Sequence, residues 1–222
     1  MMIPLQDILK ELHPTHTQLV AVSKTKPIEQ ILEIYQQGQR VFGENIVQEL
    51  VPKYEQLPKD IQWHLIGHLQ TNKVKYVAPF VAMIESVDSF KILKEIDKQA
   101  AKNERVIDCL LEMKIAEEES KYGFTRQEVE DMLRAPEFSA LHHIRICGVM
   151  GIGTFTEEED QTRREFSGLK QFFDHLKSTY FAGQQHFREI SMGMSDDYRI
   201  AIEQGSTMVR IGSLIFGERG VQ

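Results

Sequence analysis

"QLVAVSKTKPIEQILEIYQQG" (residues 18–38) carries the local grammar of the whole chain. Its opening is a short apolar run rich in β-branched residues, the signature of a buried strand. Lys24, Thr25 and Lys26 end that run. Pro27 disfavours helical geometry at Lys26 and suits the first position of a helix. From there Ile28, Ile31, Leu32 and Tyr35 mark one helical face, and Gly38 stands where a helix stops. Strand, short connection and helix make one β/α unit.

Working outward, the same unit recurs. Strands are expected at residues 18–23, 40–42, 62–67, 82–86, 106–113, 144–150, 187–191 and 208–211. Helical patterns lie between them, among them "SFKILKEIDKQAAKN" (residues 89–103) and "TEEEDQTRREFSGLKQFFDHLKSTY" (residues 156–180). The latter is expected to open with a capping box, Thr156 with Glu159, ahead of an acidic first turn. Strand–helix alternation repeated about eight times reads as a parallel α/β architecture. A doubly wound open sheet and a closed barrel both produce that pattern. Eight units favour a single (β/α)8 TIM-type barrel, with residues 1–222 as one domain, since no Pro/Gly/Ser-rich linker or composition shift divides the chain.

The composition excludes several function classes. The 222 residues are 41% hydrophobic and 27% charged, ordinary for a globular domain, and the formal net charge is −7. Lys and Arg are dispersed rather than clustered, which argues against nucleic acid as the main partner. Cys109 and Cys147 sit in apolar segments and form no CxxC pair, so a reducing, cytoplasmic setting is expected. No run approaches the roughly 18 apolar residues of a membrane span, and the N-terminus does not read as a secretory signal.

In a barrel, chemistry gathers at the carboxyl ends of the strands, and phosphate often binds after strands seven and eight. "SMGMSDD" (residues 191–197) follows the seventh and "RIGSLIFGER" (residues 210–219) contains the end of the eighth. Gly193 lets the backbone turn so that successive N–H groups can face an anion, and Ser191 adds a hydroxyl. Gly212 and Ser213 open a short helix whose first N–H groups complete the cup. Asp196 and Asp197 would repel a phosphate, so the anion is expected nearer residues 191–193. Of the two lysines, Lys24 shares a strand face with Val20 and Val22 and so reaches the barrel mouth. Partial burial there favours a Schiff-base role, and Lys26 is expected to be a solvated charge. A lysine beside a phosphate cup points to a phosphorylated aldehyde, either pyridoxal 5′-phosphate or a sugar phosphate. His64 and His68 have a spacing that could hold zinc on a helix, but the segment reads as a strand and brings no third ligand. Met192, Met194 and Met208 are expected to pack the barrel end.

The segments "AVSKTKP" (residues 21–27), "FGENIVQE" (42–49), "WHLIGHLQTNK" (63–73), "ESKYGF" (119–124) and "SMGMSDDYRIAIEQGSTMVRIGSLIFG" (191–217) closely resemble the pyridoxal-phosphate homeostasis family, whose barrel is of the alanine-racemase N-terminal type. The resemblance runs from the first strand to the last. It implies a non-catalytic carrier or regulator that holds pyridoxal 5′-phosphate as an internal aldimine on Lys24. It also implies Asn45 as a pocket residue, Ser191, Gly193, Gly212 and Ser213 as the phosphate cup, and Arg210 as the arginine facing the pyridine nitrogen. His68 and Met83 are further implied at the site. A guanidinium there favours the unprotonated ring and weakens the cofactor as an electron sink. Racemases of this barrel type add a second domain and an opposing tyrosine. The sequence runs only to Gln222, just past the eighth strand, so a carrier is expected, and a weakly active amino-acid racemase is the alternative. The partners expected are the cofactor itself and pyridoxal-phosphate-dependent apoenzymes, with the protein a monomer.

Overall fold

The computed structural model describes residues 2–116 and 122–217. A leading helix α1 (Leu5–Leu12) precedes strand β1 (Gln18–Val22). Alternation then follows: α2 (Ile28–Gln36), β2 (Val41–Glu44), α3 (Val47–Gln56), β3 (Gln62–Leu65), α4 (Val74–Val77), β4 (Met83–Val87) and α5 (Phe90–Lys102). The second half continues with β5 (Ile107–Met113), α6 (Arg126–Arg134), β6 (Ile144–Gly151), α7 (Glu159–Thr179), β7 (Glu189–Ser191), α8 (Tyr198–Glu203), β8 (Met208–Ile211) and α9 (Ser213–Phe216). The strands close into a barrel in sequence order, all neighbours parallel, with β8 pairing back onto β1 through Val20 opposite Arg210. The expectation of a (β/α)8 barrel is met, and all eight strands fall within two residues of their expected ends or starts.

The apolar pattern explains the closure. Alternate strand residues face opposite ways. The outward set (Ala21, Phe42, Trp63, Ile84, Cys109, Val149 and their neighbours) packs under the helices in one large core. The inward set is smaller: Val20, Val41, Met83, Leu110, Cys147, Met150 and Met208 fill the barrel axis. Trp63 and Phe42 are fully buried with ring centroids 5.9 Å apart, each side chain contributing about 2–3 kcal/mol of apolar burial. Between β5 and β6 the register slips after Cys109, so that Gly148 rather than Cys147 stands opposite Leu110. This bulge requires glycine, because a Cβ at Gly148 would lie 1.8 Å from the Glu189 carbonyl oxygen.

Local signals are met unevenly. Ser89 caps α5, its hydroxyl accepting from Ile92 N–H, and Gly38 takes φ 104° just beyond α2. Pro27 is the cap of α2 rather than its first residue. The capping box expected at Thr156 and Glu159 does not form. Helix α7 begins at Glu159 with Glu158 as its cap, and the Thr156 hydroxyl accepts from Glu158 N–H. Nearly two turns into α7 the Glu165 carboxylate takes both the Thr154 N–H and hydroxyl, at 2.7 and 2.6 Å, and anchors the approaching chain there instead. A capping box forms instead at Thr125 and Glu128 on α6. Among the described residues no helix is long and apolar enough to cross a membrane.

Candidate functional site

At the carboxyl ends of the strands a cavity of about 260 Å³ opens. Lys24, Asn45, Arg210, Gly212 and Ser213 line it, together with Val22, Lys26, Ile66, Ser195 and the rim residues Ile152 and Phe155. Five of the seven expected binding residues, brought from three separate segments of sequence, therefore meet in one place. Each arrives by the same rule: residues at or just beyond the carboxyl end of a parallel strand face the barrel mouth.

Lys24 owes its position to a tight turn. Lys26 N–H bonds the Ser23 carbonyl at 3.1 Å, closing a turn over residues 23–26 with Thr25 at φ 63°. That is left-handed backbone, which a β-branched residue adopts only under constraint. The constraints are visible. Thr25 N–H donates to Glu49 Oε2 at 2.8 Å. The Ser23 hydroxyl donates to Glu44 Oε1 at 2.6 Å, and Lys53 Nζ donates both to Glu44 Oε1 at 2.7 Å and to the Ser23 carbonyl at 2.9 Å. Burial pushes the Glu44 carboxyl above its ordinary range, with Lys53 opposing that rise. Lys26, expected to be a solvated charge, instead donates to the Phe216 and Gly217 carbonyls at 3.0 Å each. Those carbonyls lie at the end of α9, where the last carbonyls of a helix have no intrahelical partner, and the ammonium turns inward to meet them. Lys26 thus ties the turn to the last helix, and both lysines border the cavity.

Arg210 points along the barrel interior and is 4% exposed. Its Nη1 donates to the Ser191 hydroxyl at 2.7 Å and its Nη2 to the Gly151 carbonyl at 3.0 Å. Burial lowers its pKa, while Glu85, Asp197 and Glu112 raise it. Glu112, on the interior face of β5, is pushed up to about 7 by burial and the nearby Asp88, with Arg210 pulling the other way.

Two expected cup residues stand behind the lining rather than in it. The Ser191 hydroxyl is fully buried and donates to Glu85 Oε2 at 2.5 Å, so its single proton is committed within the barrel. Gly193 shapes the loop: its φ is 96°, a Cβ would lie 2.5 Å from that of Ala201, and its carbonyl accepts the Arg210 N–H. The residues of this loop that reach the cavity are Met194, Ser195 and Asp196. Ser195 Oγ lies 3.4 Å from the Gly212 N–H, bridging the loops after β7 and β8. Asp197, expected to repel an anion, turns its carboxylate onto the Met194 N–H at 2.5 Å.

Met83 is a correction of another kind. It begins β4, so it packs the barrel interior and borders a second cavity at the opposite, amino-terminal mouth. The 3.3 Å rise per strand residue separates the two ends, and sequence proximity to other site residues does not shorten it. His68 does lie beyond a strand's carboxyl end, where Nδ1 meets Asp88 at 2.7 Å and its ring stacks on Tyr122 at 3.8 Å. His64 and His68 thus take different carboxylates, Glu85 and Asp88. The acidic run at residues 117–119, Lys121 and Arg219 lie outside the described residues. Glu44, Lys53 and Glu85 escaped sequence reading, although a glutamate inside an apolar strand ("VFGE", "MIESV") is a legible signal of a buried partner.

Comparison with known proteins bears on the same site. The family described as "Alanine racemase, N-terminal domain" matches residues 5–220. A pyridoxal phosphate homeostasis protein of Aquifex aeolicus is 42% identical over 204 residues, covering 91% of this chain and 87% of the relative. Among solved structures, PipY of Synechococcus elongatus without pyridoxal phosphate superposes with a TM-score of 0.89 at 34% identity, covering 96% of this chain and 98% of that one. The same protein with pyridoxal phosphate bound gives 0.86 at 33% identity, with the same coverage. A closed eight-stranded barrel, a lysine-bearing turn at its mouth and this degree of identity across nearly the whole chain have one reading: the protein belongs to the pyridoxal phosphate homeostasis family, within the alanine racemase N-terminal domain type.

Proposed function

We propose that this protein binds pyridoxal 5′-phosphate at the carboxyl-terminal mouth of its barrel, covalently through Lys24, and serves as a non-catalytic carrier in the balance of that cofactor. The single observation that carries the reading is the convergence of Lys24, Arg210 and the Gly212–Ser213 backbone on one cavity of about 260 Å³. When bound, the cofactor supplies an aldehyde that condenses with a primary amine and a ring that withdraws electrons. The residues present fit such a group: a primary amine, a donor-only guanidinium, and hydroxyl and N–H donors from Ser195, Ser213 and the loop after β8.

In this reading Lys24 supplies the amine, and the turn over residues 23–26 aims it. Ser213 and the neighbouring backbone N–H groups hold the phosphate, and Asn45 borders the ring. Arg210 faces the ring nitrogen and, remaining cationic, favours its unprotonated form. That weakens electron withdrawal and supports carrying over turnover. The protein then acts in the cytoplasm as a monomer and hands the cofactor to apoenzymes that require it.

The test is visible absorption of the purified protein, then borohydride reduction and peptide mass mapping. A yellow protein with the pyridoxyl group on Lys24, absent in Lys24→Ala, supports the reading. A protein that takes up no added cofactor removes it. Exchange of the α-proton of added amino acids in deuterated solvent, above the free-cofactor background, would replace the carrier with the racemase reading.

A further inference from the structure

Four polar side chains that lie far apart in sequence form one hydrogen-bonded chain through the barrel interior. Arg210 Nη1 donates to Ser191 Oγ at 2.7 Å, Ser191 Oγ donates to Glu85 Oε2 at 2.5 Å, and Glu85 Oε1 meets His64 Nδ1 at 2.7 Å. All four are nearly inaccessible: Glu85 and Ser191 at 0%, His64 at 3% and Arg210 at 4%. The upper end, Arg210, lines the cavity over the carboxyl ends of the strands. The lower end, His64, borders a cavity of about 460 Å³ at the opposite mouth. A barrel axis is ordinarily filled by apolar layers, and burying a carboxylate there is costly unless its charge is matched and its lone pairs are satisfied. Here burial by itself raises the Glu85 carboxyl, but His64, Arg210 and the Ser191 hydroxyl together bring it below its ordinary value.

We infer that Glu85 is the positioning residue of Arg210, acting through the Ser191 hydroxyl, with His64 locking Glu85 from below. The inference rests on the reading that Arg210 faces the cofactor ring. A serine hydroxyl has one proton and two lone pairs. While that proton is held by Glu85, a lone pair is presented to the guanidinium. The second anchor, the Gly151 carbonyl at 3.0 Å, then fixes the guanidinium plane at two points. Without Glu85 the hydroxyl rotates freely, and Arg210 keeps one fixed contact instead of two. The ring nitrogen would then meet a mobile cation, so the electron-withdrawing strength of the bound cofactor is set partly from beneath it.

The experiment uses ¹⁵N-labelled full-length protein with and without pyridoxal phosphate. In the cofactor-free protein the Arg210 guanidinium N–H signals, assigned by their loss in Arg210→Lys, are expected to be sharp and distinct. Ser191→Ala and Glu85→Gln should broaden them, and the double variant should go no further than the larger single. His64→Leu should loosen them as well. His64→Asn, whose amide nitrogen can replace Nδ1 as the donor to Glu85, should restore them. In the loaded protein the same variants should shift the pH dependence of the visible band in the same order, while borohydride still maps the adduct to Lys24. Sharp guanidinium signals and an unmoved band in Ser191→Ala would overturn the inference, and that variant removes only one hydroxyl if Glu85→Gln fails to fold. If the wild-type protein binds no cofactor, the functional reading falls, yet the guanidinium signals still decide whether Glu85 holds Arg210.

Discussion

Replacing Glu112 by glutamine should stabilise the protein at alkaline pH and leave it nearly unchanged at mildly acidic pH. Glu112 projects from the interior face of β5, and burial followed by the charge of Asp88 lifts its carboxyl from 4.5 to about 7, against the pull of Arg210. Between those two values the folded protein holds a proton that the unfolded chain has released. Stability therefore falls as pH rises through this window and stays reduced above pH 7. At about 1.4 kcal/mol for each pH unit, the lift costs the folded state roughly 3 kcal/mol at pH 8, an upper figure because solvent reaches part of the side chain. Glutamine keeps the shape and carries no charge, so it removes the cost. For a chain of this size the gain corresponds to roughly 5–10 °C in Tm. Thermal denaturation of cofactor-free wild type and Glu112→Gln at half-unit steps from pH 5 to pH 8 measures it. The two melting curves should coincide near pH 5 and separate steadily above it. A difference that stays constant across the range would refute the reasoning, because an effect of packing or hydrogen bonding carries no such pH dependence.

Other consequences follow from the turn and the loops around the cavity. Lys53→Met strips Glu44 of its ion-pair partner in a buried setting, and urea unfolding should show a loss of about 3–5 kcal/mol; the added change Glu44→Gln should recover part of it. Gly193→Ala places a Cβ 2.5 Å from that of Ala201 at a φ of 96°, so roughly 2–3 kcal/mol of stability should be lost, together with cofactor uptake measured by absorbance. Thr25→Gly relieves the left-handed backbone at φ 63° and should raise Tm by a gain of about 1 kcal/mol. The same change should slow borohydride-trapped adduct formation at Lys24, since a looser turn aims the amine less well; an unchanged rate would mean that the strain has no part in presenting the lysine.

What the sequence by itself determined is whatever depends on local pattern and on what a repeated pattern must do. Eight β-rich runs alternating with helical faces can bury both sides of the strands only in a parallel sheet covered by helices, and at eight units that sheet closes into the observed barrel. That Lys24 reaches the barrel mouth was legible from the face Val20 and Val22 share, although the tight turn after β1, and not strand alternation, sets its final position. Arg210, Gly212 and Ser213 were legible for the same reason: residues at the carboxyl end of a parallel strand have only one mouth to face. Partnerships across the barrel were decided only in the tertiary structure. Nothing local to Ser191 shows that its proton goes to Glu85, 106 positions away, and nothing local to Lys26 shows that two carbonyls of the last turn await it. The same holds for Met83, whose side chain faces inward at the amino-terminal end, so strand length decides which cavity it meets. A side-chain hydrogen bond reaches about 3 Å, so it is settled by whichever groups the closed barrel brings that near, after every local preference has been met.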